Sequence, residues 1–220
     1  MIRAVIFDLD GTVVDSNELH VDAWDETFRK YGKQFPRADL HRQIGKGGDQ
    51  YLPVFLDERE MHEIGEEVEK FRGDLFKQKY LASVKPFPKV KELFQRIRDD
   101  GKRIALASSG NADEVAHYVK VAELGELFET QTTKSDVDHS KPRPDVFLAA
   151  LRHLGTAAEE TIVIGDTPYD VQAAKKAGMQ TIGLRCGGFP EDELVAYGAV
   201  AIYDDPADLL QSYQRSPIAS

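Results

Sequence analysis

Two carboxylates one residue apart, Asp8 and Asp10, directly follow the apolar run Ala4-Val5-Ile6-Phe7 and precede Gly11-Thr12. Acids this close repel one another unless a cation or a proton lies between them. If the extended backbone continues past Phe7, period-two alternation sends both side chains the same way, and the pair asks for a metal. Further reactive groups stand after later apolar runs: Ser108 with Ser109 and Gly110, then Asp166, with Asp170 four residues on. Lys141 joins them just before an expected helix. Carboxylates, a hydroxyl and one ammonium suit phosphoryl transfer, where positioning and charge neutralisation supply most of the catalysis.

Elements must bring these groups together. Residues 4–7 form a short, continuously apolar, β-branched run, as expected for a strand buried on both faces of a parallel sheet. Residues 103–107, 127–132, 161–164, 180–184 and 199–203 read as further strands, alternating with amphipathic helices from residue 90 onward. Such alternation implies an α/β fold, a Rossmann-like parallel sheet with helices on both faces. In such a sheet the carboxyl ends of the strands form the ligand crevice. Residues 14–83 interrupt the alternation and read as purely helical, with Asp15 capping the first helix and Glu18 completing a capping box. The expected organisation is therefore a core of residues 1–13 and 84–220 carrying an inserted helical cap, 14–83, hinged near residues 13–15 and 82–86.

A chain of 220 residues with 41% hydrophobic content can bury a proper core. Its net charge of −10 argues against nucleic-acid or membrane-surface partners, which need basic patches. Cys186 is the single cysteine, so no intramolecular disulfide or cysteine zinc cluster can form. No stretch approaches the about 20 apolar residues of a membrane span, and the start is too short in apolar residues for a signal peptide. The expectation is a cytoplasmic protein, monomer or homodimer.

Asp8-Leu9-Asp10-Gly11-Thr12, Ser108, Lys141 and Gly165-Asp166-Thr167-Pro168-Tyr169-Asp170 resemble, in order, the four motifs of the haloacid dehalogenase superfamily of phosphotransferases. The match spans essentially the whole chain, including a helical insert similar to that family's small cap. The resemblance implies a Mg²⁺-dependent phosphatase acting on a small phosphorylated metabolite, of phosphoglycolate or sugar-phosphate type. In that reading Asp8 is the nucleophile and Asp10 the acid and base. Ser108, with the backbone around Leu9, Ser109 and Gly110, binds the transferring oxygens, and Lys141 neutralises charge. The metal falls to the carboxylates of Asp8 and Asp166 and the main-chain carbonyl of Asp10. Asp170 is a further ligand or an outer group that orients Lys141.

Two cap residues remain open at this point. His20 lies on the first cap helix, where β-phosphoglucomutases and related phosphatases place a histidine near the active site; a helix-face histidine without a catalytic task is the alternative. Lys46 sits in the Gly-rich stretch 44–48, whose exposed N–H groups suit anions, and is a candidate substrate contact. Trp24 reads as cap core and Cys186 as an incidental thiol. The alternative functions are a β-phosphoglucomutase-like isomerase, whose fourth motif usually carries Glu-Asp where this chain has Gly165-Asp166, and a non-catalytic phosphate-binding module. Dehalogenases and phosphonate-cleaving members lack the acid at the position of Asp10.

Overall fold

Ala4, Val5, Ile6 and Phe7 are all buried, as a central strand requires, and their side chains alternate between two layers of core. Val5 and Phe7 join one apolar cluster, while Ala4 and Ile6 join another on the opposite face. The computed structural model describes residues 1–219; Ser220, at the end of the expected core segment, lies outside the described residues.

In chain order the elements are β1 (Ala4–Phe7), β2 (Val14–Asp15), α1 (Asn17–Lys30), α2 (Arg37–His41), α3 (Gly48–Tyr51), α4 (Glu58–Leu75) and β3 (Lys85–Pro86). Then come α5 (Val90–Asp99), β4 (Arg103–Ala107), α6 (Ala112–Val121), β5 (Thr130–Thr132), α7 (Asp145–Leu154) and β6 (Thr161–Gly165). The chain closes with α8 (Pro168–Lys176), β7 (Gln180–Leu184), α9 (Glu191–Tyr197), β8 (Ala201–Tyr203) and α10 (Pro206–Gln211). Six strands make one sheet in the order β5-β4-β1-β6-β7-β8, every pairing parallel. The expected helix-covered parallel sheet is what the chain forms.

Register decides where the reactive groups land. Phe7 pairs with Leu106 on β4 and with Ile164 on β6, so all three strands end at nearly the same level. The chain leaves β1 for β4 on one side and later returns to β6 on the other. The crevice at that reversal is where open α/β sheets bind ligands. Behind it, Phe94 of α5 is fully buried and stacks on Phe7, ring centroids 4.2 Å apart. Phe94→Ala is expected to cost about 3–5 kcal/mol, through lost transfer energy and the cavity left behind, read from the urea midpoint. A loss below about 1 kcal/mol would mean that the site collapses freely.

The region between β2 and β3 has an apolar cluster of its own. Trp24 stacks on Tyr51 at 4.3 Å, with Phe28, Leu40, Leu52 and Val68 around them. The purely helical expectation for residues 14–83 needs correction. Val14 and Asp15 pair antiparallel with Pro86 and Lys85, forming a two-stranded ribbon where the chain leaves and re-enters the sheet. Residues 70 and 72 positions apart make this pairing, so no local pattern announces it. The expected Asp15–Glu18 capping box is absent too. Asp15 lies in the ribbon, Ser16 holds the N-cap position, and Glu18 pairs with Arg37 at 2.5 Å. The strand expected over 127–132 begins only at Thr130, because Leu127 N–H closes a turn onto Leu124 C=O at 2.7 Å. Among the described residues no helix is long and apolar enough to cross a membrane.

Candidate active site

Asp8 is the first residue past β1, and its backbone N–H still donates to Ile164 C=O at 2.9 Å. That bond carries the strand geometry one residue beyond the sheet and aims the carboxylate into the crevice. Lys141 Nζ donates to Asp8 Oδ1 at 2.6 Å and to Asp170 Oδ1 at 2.8 Å, with all three side chains no more than 2% exposed. Asp8 Oδ2 is buried with no hydrogen-bond partner. Asp170 sits in the first turn of α8, and its Oδ2 accepts from Thr167 N–H at 3.1 Å and from Thr167 Oγ1 at 2.6 Å. The Thr167 hydroxyl in turn caps the helix N-terminus, where a carboxylate is favoured by the dipole. Both oxygens of Asp170 are thus engaged, one of them in holding Lys141.

Asp166 ends β6. Its Oδ1 accepts from Thr12 Oγ1 at 2.9 Å and its Oδ2 from Asn17 Nδ2 at 2.8 Å. The Asn17 amide also donates to Gly187 C=O at 2.8 Å; two acceptors in front of one nitrogen decide which way the amide faces. The chain passes so close here that two glycines are required. A Cβ on Gly11, which has φ +73°, would stand 2.2 Å from Asp166 Oδ2, and one on Gly187 would stand 1.8 Å from the same atom. Any side chain at either place would push the carboxylate aside.

The carboxylate of Asp10 turns elsewhere. Its Oδ1 accepts from Ser16 Oγ at 2.6 Å and lies 2.7 Å from His20 Nε2, while Tyr118 Oη is 3.3 Å from the same imidazole nitrogen. Arg72 of α4 donates to His20 Nδ1, and the imidazole stacks on Phe76 at 4.0 Å. With Nδ1 accepting from a guanidinium, the proton of a neutral imidazole must sit on Nε2, facing Asp10. His20 therefore touches Asp10 directly. Asp8 and Asp10 do not point the same way as the alternation argument expected. The strand ends at Phe7 and the chain turns, with the N–H groups of Val13 and Val14 both bonded to Leu9 C=O.

The remaining sequence candidates gather around a cavity of about 80 Å³ lined by Asp8, Asp10, His20, Lys46, Ser109, Gly110 and Lys141, among others. Ser109 Oγ is buried without a partner, whereas Ser108 Oγ accepts from Gly110 N–H at 2.9 Å. Leu9 is fully buried. Lys46 reaches the cavity wall, yet its ammonium donates to Gln43 Oε1 at 2.5 Å and lies over the Tyr169 ring at 4.5 Å. Cys186 is half-buried against Gly11 C=O, and burial pushes its thiol well above the usual range. Ser16, Asn17, Arg72 and Tyr118 escaped sequence reading, and Thr12 stood in the first motif without a role of its own. One signal was available: Asn17 and His20 are polar residues three apart on one face of α1, and both are buried.

Electrostatics sort the acids. Burial, reinforced by Asp170, pushes Asp166 up to about 8, although Asn17, Thr12 and Lys141 pull the other way. Burial likewise raises Asp8 well above the carboxylate range, against the pull of Lys141. For Asp10 burial also works upward, but electrostatic attraction to His20 and hydrogen bonds from His20, Ser16 and Tyr118 outweigh it and hold Asp10 well below. Burial would lower Lys141, and Asp170 and Asp8 reverse that, so it stays charged. Ligand oxygens of Asp8, Asp166 and Asp170 lie within 4.8 Å of one another, and the carboxylate of Asp10 is not among them. Three buried carboxylates share a single ammonium, so in the absence of a cation the cluster keeps protons, as the raised Asp8 and Asp166 show, and Asp8 Oδ2 is bare. A hard divalent cation with oxygen ligands fits that set.

A doubly wound parallel sheet with acids, a lysine and a hydroxyl loop at its switch point defines an α/β enzyme of the hydrolase type. A family model described as haloacid dehalogenase-like hydrolase matches residues 5–184, and the chain belongs to that family, as its four motifs implied. It is 29% identical over 182 residues to a phosphorylated carbohydrates phosphatase from Thermotoga maritima, covering 82% of this chain and 84% of that one. It is 28% identical over 211 residues to pyrophosphatase PpaX from Bacillus cereus, covering 95% of both. Among solved structures, a hydrolase from Pseudomonas syringae superposes with TM-score 0.90 at 30% identity, over 97% of this chain and 98% of that one.

Proposed function

We propose that this chain is a Mg²⁺-dependent phosphatase that hydrolyses a small phosphorylated metabolite, of phosphoglycolate or sugar-phosphate type, through an aspartyl-phosphate on Asp8. One observation carries the reading: a bare, buried carboxylate oxygen beside a lysine, inside a cluster of three acids that one ammonium cannot neutralise. Names of the relatives, a carbohydrate-phosphate phosphatase and a pyrophosphatase, support phosphoester hydrolysis as the reaction type.

Asp8 and Asp166, with the main-chain carbonyl of Asp10, would hold the metal. When bound, it would supply positive charge that lets a carboxylate approach a phosphate dianion. Asp170 serves better as the group that positions Lys141, since one of its oxygens is spent on that ammonium and the other on the cap of α8, whereas Asp166 meets only a hydroxyl and an amide. An oxygen of Asp8 attacks phosphorus, the ester P–O bond breaks, and the leaving oxygen takes a proton from Asp10, which is ionised in the empty site and takes that proton up from solvent as the anionic substrate binds. A water then gives its proton to Asp10 and attacks the phosphoryl group, releasing phosphate and the Asp8 carboxylate. Lys141, the Ser108 hydroxyl, which accepts from Gly110 N–H and keeps its own proton to donate, Ser109 and the N–H groups of that loop stabilise charge on the transferring oxygens. Residues 14–83 act as a cap whose closure over the crevice excludes bulk water.

The isomerase alternative fits less well. A side chain at position 165 would put its Cβ 2.6 Å from Asp170 Cβ, so Glu-Asp in place of Gly165-Asp166 would displace the partner of Lys141. The direct test is phosphate release from a panel of phosphorylated metabolites, with and without Mg²⁺, alongside glucose 1-phosphate isomerisation. Release that is indifferent to Mg²⁺ contradicts the metal assignment, and isomerisation without release contradicts the reaction.

Metal binding also has a signature in stability. Asp166 has its ordinary pKa unfolded and about 8 folded, so the metal-free native state holds an extra proton between those values. The stability it contributes is present below about pH 4 and is lost as pH rises through about 8. Mg²⁺ at 100 times its Kd should add about 2.7 kcal/mol, a Tm rise of about 5–10 °C. Because protons compete for the same carboxylates, the rise should be larger at pH 8 than at pH 5. Differential scanning calorimetry with Mg²⁺ and with EDTA measures it, and equal shifts at both pH values would count against these ligands.

A further inference from the structure

We propose that Asp49, on the cap, is a positioning residue for Lys141. It grips Ser140, the residue before that lysine, and so ties the placement of the ammonium to the closed cap. The inference rests on the phosphatase reading and deepens it, by naming how the cap acts on the chemistry beneath it. Lys141 lies in the long connection 133–144 between β5 and α7, which holds one short helical turn at residues 134–136. No strand ladder or helix fixes the backbone at residue 141. Its ammonium must nevertheless meet two carboxylates, at 2.6 and 2.8 Å.

The cap supplies what the loop lacks. Ser140 N–H donates to Asp49 Oδ2 at 3.1 Å and Ser140 Oγ to Asp49 Oδ1 at 2.5 Å, so one carboxylate holds both main chain and side chain. The same hydroxyl accepts from Gly47 N–H at 2.9 Å. Ser140 is buried, and bonds to an ionised acceptor are the stronger kind. Burial pushes Asp49 up, but the bonds from Ser140 and Gln50 and the charge of Lys134 outweigh it and keep Asp49 below the usual carboxylate range.

The glycine-rich stretch meets the other half of the ion pair as well. Gly45, with φ +97°, lies so close to Thr167 that a Cβ would stand 2.7 Å from Thr167 Cγ2, and Thr167 in turn holds Asp170 Oδ2. A Cβ on Gly47 would stand 2.7 Å from both Cβ and Oγ of Ser140. Tyr169 Oη donates to Arg42 C=O at 2.5 Å. Residues 42–49 therefore touch, at once, the two segments that carry the Lys141–Asp170 pair. Other ion pairs between cap and core, Lys134 with Glu69 and Lys77 with Asp113, join half-exposed side chains and are screened by water. With the cap swung away, two donors of Ser140 would lose their acceptor, and Lys141 would sit on a loop held only by its own turns. Full placement of the ammonium thus coincides with the exclusion of water.

The test compares the wild type with Asp49→Ala, Asp49→Asn and Ser140→Ala, by p-nitrophenyl phosphate hydrolysis with Mg²⁺ and by hydrogen exchange read in a mass spectrometer. Asp49→Ala should lower kcat by about 10- to 100-fold while KM changes by less than about threefold, as for a misplaced group that acts in the transition state. Asp49→Asn, which keeps one acceptor oxygen, should lose less. Adding Ser140→Ala to Asp49→Ala should cost little further, because the two side chains act through one contact. Without ligand, amides of residues 137–143 should exchange about 10-fold faster or more in Asp49→Ala, while those of β1 and β6 keep their rates. If Asp49→Ala loosens the whole sheet, Asp49→Asn and Ser140→Ala carry the same readings. A raised KM with kcat unchanged overturns the inference, since the contact would then serve binding alone. So does unaltered exchange at residues 137–143. Should the wild type leave p-nitrophenyl phosphate and every metabolite ester untouched, the phosphatase reading fails. The exchange rates then decide the latch by themselves, faster exchange at 137–143 upholding it and unaltered exchange overturning it.

Discussion

Asp8→Asn should lower kcat by about 10⁴- to 10⁶-fold while leaving the fold intact, the scale seen when a nucleophile is removed. The side chain keeps its volume, and Asp8 lies in a strand-end position 2% exposed, so no cavity opens. What changes is the bare oxygen. Asp8 Oδ2 has no partner, and Lys141 bonds Oδ1 and holds the carboxylate in place. An amide presents either a weakly nucleophilic carbonyl or an N–H₂ group in that position, and neither forms an acyl phosphate. Lys141 retains Asp170 as a partner, so its burial stays compensated. Removing one buried negative charge from the acid cluster should leave metal-free stability unchanged or higher. Mg²⁺-dependent phosphate release together with far-UV circular dichroism reads both halves of the expectation. Full activity in a folded variant would remove Asp8 from the reaction.

Asp10→Asn should behave differently, because Asp10 works twice. Its carboxylate is held ionised against burial by His20, Ser16 and Tyr118, which is the state that accepts a proton from the attacking water. Loss of a positioned acid and base costs about 10²- to 10⁴-fold. With p-nitrophenyl phosphate the first step needs little help, since the phenolate leaves readily without a proton. The second step still needs the base. The variant should therefore release a burst of p-nitrophenolate equal to the enzyme concentration and then stall, with one phosphoryl group covalently on Asp8. Stopped-flow absorbance and intact-mass spectrometry measure the two signs. A linear time course at the wild-type rate, with no phosphorylated species, would contradict the role. Replacing His20, which touches Asp10, or Arg72, which acts on Asp10 through His20, should weaken the same step to a smaller degree.

Much of this site could be read before any contact was known, and the reason is local chemistry. Ala4-Val5-Ile6-Phe7 is apolar on both alternating faces, so it must be a covered strand, and the first acid after it must emerge at the sheet's edge. Residues 103–107 and 161–165 repeat that logic with Ser108 and Asp166. Four motifs in order were enough to identify the family, which the match over residues 5–184 bears out. Helix periodicity marked the block between β2 and β3, although not the ribbon at its base.

Side-chain partnerships were another matter, because they depend on how elements far apart in the chain approach one another. Thr12 and Asn17 reach Asp166 across 154 and 149 residues, and Tyr118 meets His20 across 98. Apart from Thr12, which ends the first motif, nothing in their immediate sequence distinguishes them from ordinary polar residues. Pattern alone gave no sign that Asp170 stands with Asp8 and Asp166, or that Lys141 and Thr167 bond its two oxygens. Asp8 and Asp10 share a motif, yet the turn after Phe7 sends one toward Lys141 and the other toward His20. The sequence by itself determined which strands form, which acids stand at their ends and to which family the chain belongs, since those follow from short-range pattern. Only the tertiary structure decided which acid is bare, which is held ionised and which is spent on a lysine, because a carboxylate's state depends on the burial and charges that packing brings to it.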